Sequence, residues 1–89
     1  MLSAQDRMKI EDVAQRYGVG RVLLFGSSAR DDTDARDIDL AVEGLAPARF
    51  FSFYAELIFG LSRSVDLVDL DRQSKFADII RREGVPVYG

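Results

Sequence analysis

The sequence contains no cysteine and no histidine. The first absence excludes disulfides and thiolate metal sites; the second excludes imidazole metal ligands, serine–histidine triads and histidine acid–base chemistry. Any catalysis must therefore run on carboxylates, hydroxyls, lysine, arginine or backbone amides. No apolar run approaches the roughly 20 residues of a membrane-spanning helix, and the opening Met-Leu-Ser-Ala-Gln-Asp lacks the basic and apolar regions of a secretory signal. A cytoplasmic protein without a membrane partner is expected. Lysine and arginine form no cluster and the net charge is −3, so the counterion release that drives tight binding to nucleic acid has little to act on. Duplex DNA is not an expected partner.

What is present fits one small domain over 1–89, with no repeat, linker or low-complexity segment. Apolar residues make up 47% of the chain and the 30% that are charged are mixed in sign, which favours folding over disorder. Ser3 and Asp6 resemble a capping box, and Ile10, Val13, Ala14 and Tyr17 fall on one helical face until Gly18 and Gly20 stop it. Val22 to Phe25 is an apolar run closed by Gly26, as suits a strand buried on both faces. Asp37 to Val42 alternates, with Ile38, Leu40 and Val42 on one side and Asp37, Asp39 and Ala41 on the other.

After Gly44 and Pro47, a helix from Pro47 to Leu61 carries the stripe Phe50, Phe53, Tyr54, Leu57, Ile58 and Leu61. Val65 to Leu70 is a third strand, with Asp66, Val68 and Leu70 on one face and Val65, Leu67 and Asp69 on the other. Asp71 or Ser74 can cap a last helix whose apolar face is Phe76, Ile79 and Ile80. Gly84 and Pro86 end it, leaving room for a short strand at Val85 to Tyr88. This order predicts an α/β (α+β) fold, a small mixed sheet covered by helices.

The chemistry concentrates at three places. Gly26-Ser27 directly follows a buried strand, where a glycine lets phosphate approach the backbone and a serine offers its hydroxyl and amide; alone, the pair is equally an ordinary turn. Asp37 and Asp39 project to the same side of one strand. Two anions that close repel unless water or a cation lies between them, and magnesium is held by one or two carboxylates together with substrate phosphates; in isolation such a pair is also compatible with a wet face. Asp66 repeats the anomaly of an aspartate inside an apolar strand. Three converging carboxylates beside a phosphate-cradling turn match two-metal phosphoryl chemistry, and the combination is far more specific than its parts.

Gly26-Ser27, then nine residues, then Asp37-Ile38-Asp39-Leu40-Ala41-Val42, then Val65-Asp66-Leu67-Val68-Asp69-Leu70, resembles the polymerase-beta-like nucleotidyltransferase superfamily, in its branch of minimal (MNT-type) nucleotidyltransferases. The likeness extends to the closing Arg-Arg-Glu-Gly-Val-Pro-Val-Tyr. It implies that Gly26 and Ser27, joined by Arg30, bind the nucleoside triphosphate, ATP by expectation. It also implies that Asp37, Asp39 and Asp66 are the catalytic, metal-binding carboxylates for two magnesium ions, with Asp66 nearest the acceptor hydroxyl. The partner implied is a HEPN-type toxin, neutralised by transfer of AMP to its tyrosine. Two features depart from the pattern. The segment between Ser27 and Asp37 is one residue shorter than usual, and Asp31 stands where glycine is customary. Asp31, Asp32 and Asp34 oppose a triphosphate electrostatically, with Arg30 and Arg36 as local offsets.

Two functions of different kinds follow: an active transferase modifying its partner, or an idle binding module that neutralises a toxin by contact alone. Transfer to RNA or a small molecule is weaker, since such relatives carry further domains for the acceptor. Asp69, on the opposite face from Asp66, reads as structural or solvated. Phe59, opposite the centre of the apolar stripe, and Phe51 at its edge are expected at a homo-oligomer or toxin interface.

Overall fold

A computed structural model describes residues 2–29 and 37–89. The first helix, α1 (Ala4–Tyr17), starts where the Ser3 hydroxyl accepts the Asp6 N–H at 3.0 Å. It ends at Gly18, whose φ of +66° lets its N–H reach the Ala14 and Gln15 carbonyls. The Asp6 carboxylate does not close a capping box as expected. It is buried and accepts hydrogen bonds from the Ser62 N–H at 3.1 Å and the Ser62 hydroxyl at 2.5 Å, so it anchors the start of α1 to a distant turn.

Four strands follow the expected order: β1 (Arg21–Leu24), β2 (Asp37–Glu43), β3 (Ser64–Asp69) and β4 (Val85–Tyr88). They form one mixed sheet in the order β3-β2-β1-β4, with β1 antiparallel to both β2 and β4 and β2 parallel to β3. The parallel pair needs a crossover, which is α2 (Phe50–Gly60), entered through a short 3₁₀ turn at Pro47–Arg49. Strand alternation sorts the core into two layers. Val22, Leu24, Ile38, Leu40 and Val42 face α1 and α2, meeting Ile10, Val13, Phe53 and Leu57. Leu23, Ala41 and Leu70 face α3 (Lys75–Glu83), meeting Ala77 and Ile80.

Two expectations about apolar faces need correction, and one open choice of helix cap is decided. Within the α2 stripe Phe53, Leu57 and Leu61 are buried, but Ile58 is 51% exposed, because α1 shares the same sheet face and leaves α2 only a narrow seat. On α3, Ile80 is buried while Phe76 and Ile79 stay largely exposed, since that helix covers only the strip formed by Leu23, Ala41 and Leu70. The cap of α3 is Ser74, which accepts the Ala77 N–H at 2.9 Å; Asp71 instead accepts the Gly44 N–H at 2.9 Å. Among the described residues no helix is long and apolar enough to cross a membrane.

Candidate active site

The parallel register of β2 and β3 sets Asp39 directly beside Asp66, and Asp37 beside Ser64. Paired residues on neighbouring strands project to the same side of a sheet, with the strands themselves about 4.8 Å apart. Asp37, Asp39 and Asp66 therefore share one face, beyond the strip that α3 covers. Asp37 and Asp66 are exposed, whereas Asp39 is half-buried. That burial raises the Asp39 pKa, and the negative charges of Asp66 and then Asp37 raise it further. A hard cation relieves both causes at once, so these residues fit magnesium. Among the described residues no three acidic side chains stand close enough to enclose a metal by themselves. Magnesium does not require such an enclosure, since one or two carboxylates completed by phosphate and water suffice to hold it.

Beside Asp39, β1 runs out into a 3₁₀ turn at Gly26–Ala29. The Phe25 N–H donates to the Asp39 carbonyl at 3.0 Å, which holds the start of this turn against β2. Gly26 has a φ of +65°, and a Cβ there would come within 2.6 Å of Asp39 Oδ2. Only glycine admits both the conformation and the close approach. Gly26 thus lies in a turn after β1, as the sequence expects, and the turn abuts the Asp39 carboxylate. Ser27 lends its backbone to the same turn, but its side chain, like Arg30, lies outside the described residues, as do Asp31, Asp32, Asp34 and Arg36.

Asp69 faces away from the trio and accepts the Asp71 N–H at 2.9 Å, the structural role expected for it. Behind the site Glu43 braces the sheet, accepting from Arg81 at 3.1 Å and Arg21 at 3.0 Å. Arg81 also donates to the Leu70 carbonyl, which ties α3 to the end of β3. Neither link was apparent in the sequence, because mixed charges at such separations carry no local signature.

A family model described as polymerase beta, nucleotidyltransferase, matches residues 8–89. The chain belongs to that family. Among solved structures, this nucleotidyltransferase is similar to a toxin–antitoxin crystallised with AMP-PNP, with 26% identity, a TM-score of 0.76, and coverage of 93% of this chain and 73% of the other. It is also similar in fold to a mutant MntA–HpeT toxin–antitoxin, with 24% identity, a TM-score of 0.75 and coverage of 93% and 72%. The MntA–HepT toxin–antitoxin gives 24% identity, a TM-score of 0.72 and coverage of 98% and 73%. A comparison with curated proteins finds no match.

Phe25, assigned from the sequence to the buried strand, instead stands just beyond the end of β1, next to the Gly26 turn. It is half-buried at the strand's end and packs edge-on against Phe76, with ring centroids 5.6 Å apart. Its parity with Leu23 was the available signal, since that parity places it on the aspartate side of the sheet.

Proposed function

We propose that the protein moves AMP from ATP onto a hydroxyl of a partner protein, a HEPN-type toxin, and so acts as its antitoxin. The observation that carries this reading is the shared face of Asp37, Asp39 and Asp66 beside the Gly26 turn. The similarity to a toxin–antitoxin solved with AMP-PNP favours both the nucleotide and the kind of partner.

In this reading the turn at Gly26 and Ser27 holds the triphosphate by its backbone, and Arg30 adds positive charge. Asp37, Asp39 and Asp66 would hold two magnesium ions, which when bound supply charge neutralisation for the triphosphate and its leaving group. Asp66, on the outer side of Asp39, orients the acceptor hydroxyl and receives its proton. The acceptor oxygen bonds to the α-phosphorus, the bond from that phosphorus to the bridging oxygen breaks, and pyrophosphate departs. The outward side of α2 is the surface given to the partner. Phe51 is 81% exposed and Phe59 89% exposed there, with Ile58 beside them, a concentration of apolar area that suits association.

Co-purification with the partner from the native host, followed by intact-mass measurement, tests the reading. The expected result is a magnesium- and ATP-dependent mass gain of one or more AMP units on the partner, absent with Asp39→Asn. A partner neutralised without any mass change would establish the contact-only alternative instead, to which the shortened segment before Asp37 points.

A further inference from the structure

The register of β2 and β3 brings a hydroxyl into the carboxylate group. Ser64 opens β3 and pairs with Asp37, as Asp66 pairs with Asp39. Paired residues project to the same side of a sheet, and Ser64 stands two positions from Asp66, an even step. Its side chain therefore lies on the face that carries Asp37, Asp39 and Asp66. We propose that Ser64 is a site of self-modification: when no partner is bound, the protein transfers AMP from ATP onto the Ser64 hydroxyl of the same chain. The inference rests on the nucleotide-transfer reading above and adds to it a second acceptor, one that the chain itself carries.

Ser64 is exposed, and its hydroxyl makes no hydrogen bond among the described residues. The neighbouring hydroxyls are engaged: Ser62 donates to Asp6 at 2.5 Å, and Tyr54 donates to the Val65 carbonyl at 2.8 Å. The backbones of Ser64 and Asp37 are a strand spacing of about 4.8 Å apart, so their side chains reach into the same space above the sheet. β3 is an edge strand in the order β3-β2-β1-β4. Ser64 thus stands on the outer side of Asp39 together with Asp66, which is the side given above to the acceptor.

In the step, the Ser64 oxygen bonds to the α-phosphorus of ATP, the bond from that phosphorus to the bridging oxygen breaks, and pyrophosphate departs. The hydroxyl proton passes through one water to the Asp66 carboxylate, about 6–7 Å along the strand at a rise of about 3.3 Å per residue. A hydroxyl fixed on a strand beside the reacting atoms needs no association step, and such placement outweighs a free hydroxyl at any practical concentration. The attached AMP then occupies the acceptor side. Self-transfer therefore closes the site to a partner's hydroxyl on the chains that undergo it.

The test is intact-mass and fragment-mass measurement of the full chain alone, incubated with magnesium and ATP. The expected result is a gain of one AMP unit per chain, located on Ser64, with pyrophosphate released in equal amount and a rate per chain that does not change on dilution. Ser64→Ala and Asp39→Asn should each lose the gain completely. Ser64→Thr keeps the hydroxyl on a residue that strands favour and should retain the gain, which separates a missing acceptor from a damaged strand. A gain on another residue, a gain that survives in Ser64→Ala, or a rate that falls in proportion to dilution overturns the assignment. So does a wild-type chain that stays unmodified alone yet adds AMP to its co-purified partner, and in that case the transfer reading stands. Absence of AMP from both chain and partner overturns both.

Discussion

Gly18 and Gly26 form a matched pair for testing the Asp39 site, because their backbones share nearly the same strain while their surroundings differ. Their φ angles are +66° and +65°. A Cβ at Gly18 meets nothing within 4 Å, whereas a Cβ at Gly26 falls 2.6 Å from Asp39 Oδ2 and 3.3 Å from its Cγ. Placing an L-residue in this conformation costs roughly 1–2 kcal/mol, partly offset by about 0.4–1 kcal/mol from a stiffer unfolded chain. Gly18→Ala should therefore lose about 1 kcal/mol, which lowers Tm by about 4–8 °C in a domain of this size. Gly26→Ala carries the same cost and must also swing the Asp39 carboxylate off its rotamer, adding about 0.5–1.5 kcal/mol. The functional consequence is larger than the structural one. Moving a reacting group by about 1 Å costs on the order of 100-fold in rate, so Gly26→Ala should lose transfer activity that Gly18→Ala retains. Urea unfolding and a magnesium-dependent transfer assay on both variants read the two effects separately. Equal stability loss with full activity in Gly26→Ala would refute the coupling between the turn and the carboxylate.

Asp39→Asn should abolish transfer while its metal-free stability equals or exceeds that of the wild type, because the change removes a half-buried anion repelled by Asp66 and Asp37; thermal unfolding in EDTA checks this, and a large destabilisation would count against the crowding of the three charges. Glu43 is held below its ordinary pKa of 4.5 by hydrogen bonds from Arg81 and then Arg21. Its stabilisation is therefore present above that pH and is lost as pH falls through the lowered folded value, so Glu43→Gln should cost about 1 kcal/mol at neutral pH and the gap from the wild type should close on acidification. Phe59→Asp and Phe51→Asp should change stability by no more than about 0.5 kcal/mol yet weaken partner association at least tenfold in pull-down titrations. Unaltered association would leave both as ordinary exposed aromatics.

The site was legible in the sequence to the extent that it depends on parity. Asp37 and Asp39 share a face because they lie two positions apart, an even step, and Asp66 differs from Asp69 because they lie three apart, an odd one. The remaining requirement, that β2 and β3 lie side by side in a register pairing Asp39 with Asp66, is met once α2 serves as the crossover between them. Gly26 was likewise readable as a turn, but its abutment on Asp39 is a tertiary fact with no local trace.

Burial of the helices was less legible, for a different reason. A helical wheel ranks residues by direction, whereas exposure depends on how wide a seat the sheet offers, and here four strands must accommodate α1 and α2 on one side and only part of α3 on the other. Ile58, Phe76 and Ile79 are all on apolar faces and all left in the open. Sequence periodicity cannot separate apolar residues that close a core from those that complete a binding surface, since both satisfy the same spacing. Their position in the fold does separate them: Ile58 adjoins the exposed Phe51 and Phe59 on α2, and Phe76 and Ile79 line a groove that begins at Gly26. The apparent excess of apolar surface on a chain this small thus falls in two places, one beside the Gly26 turn and one on the outward side of α2.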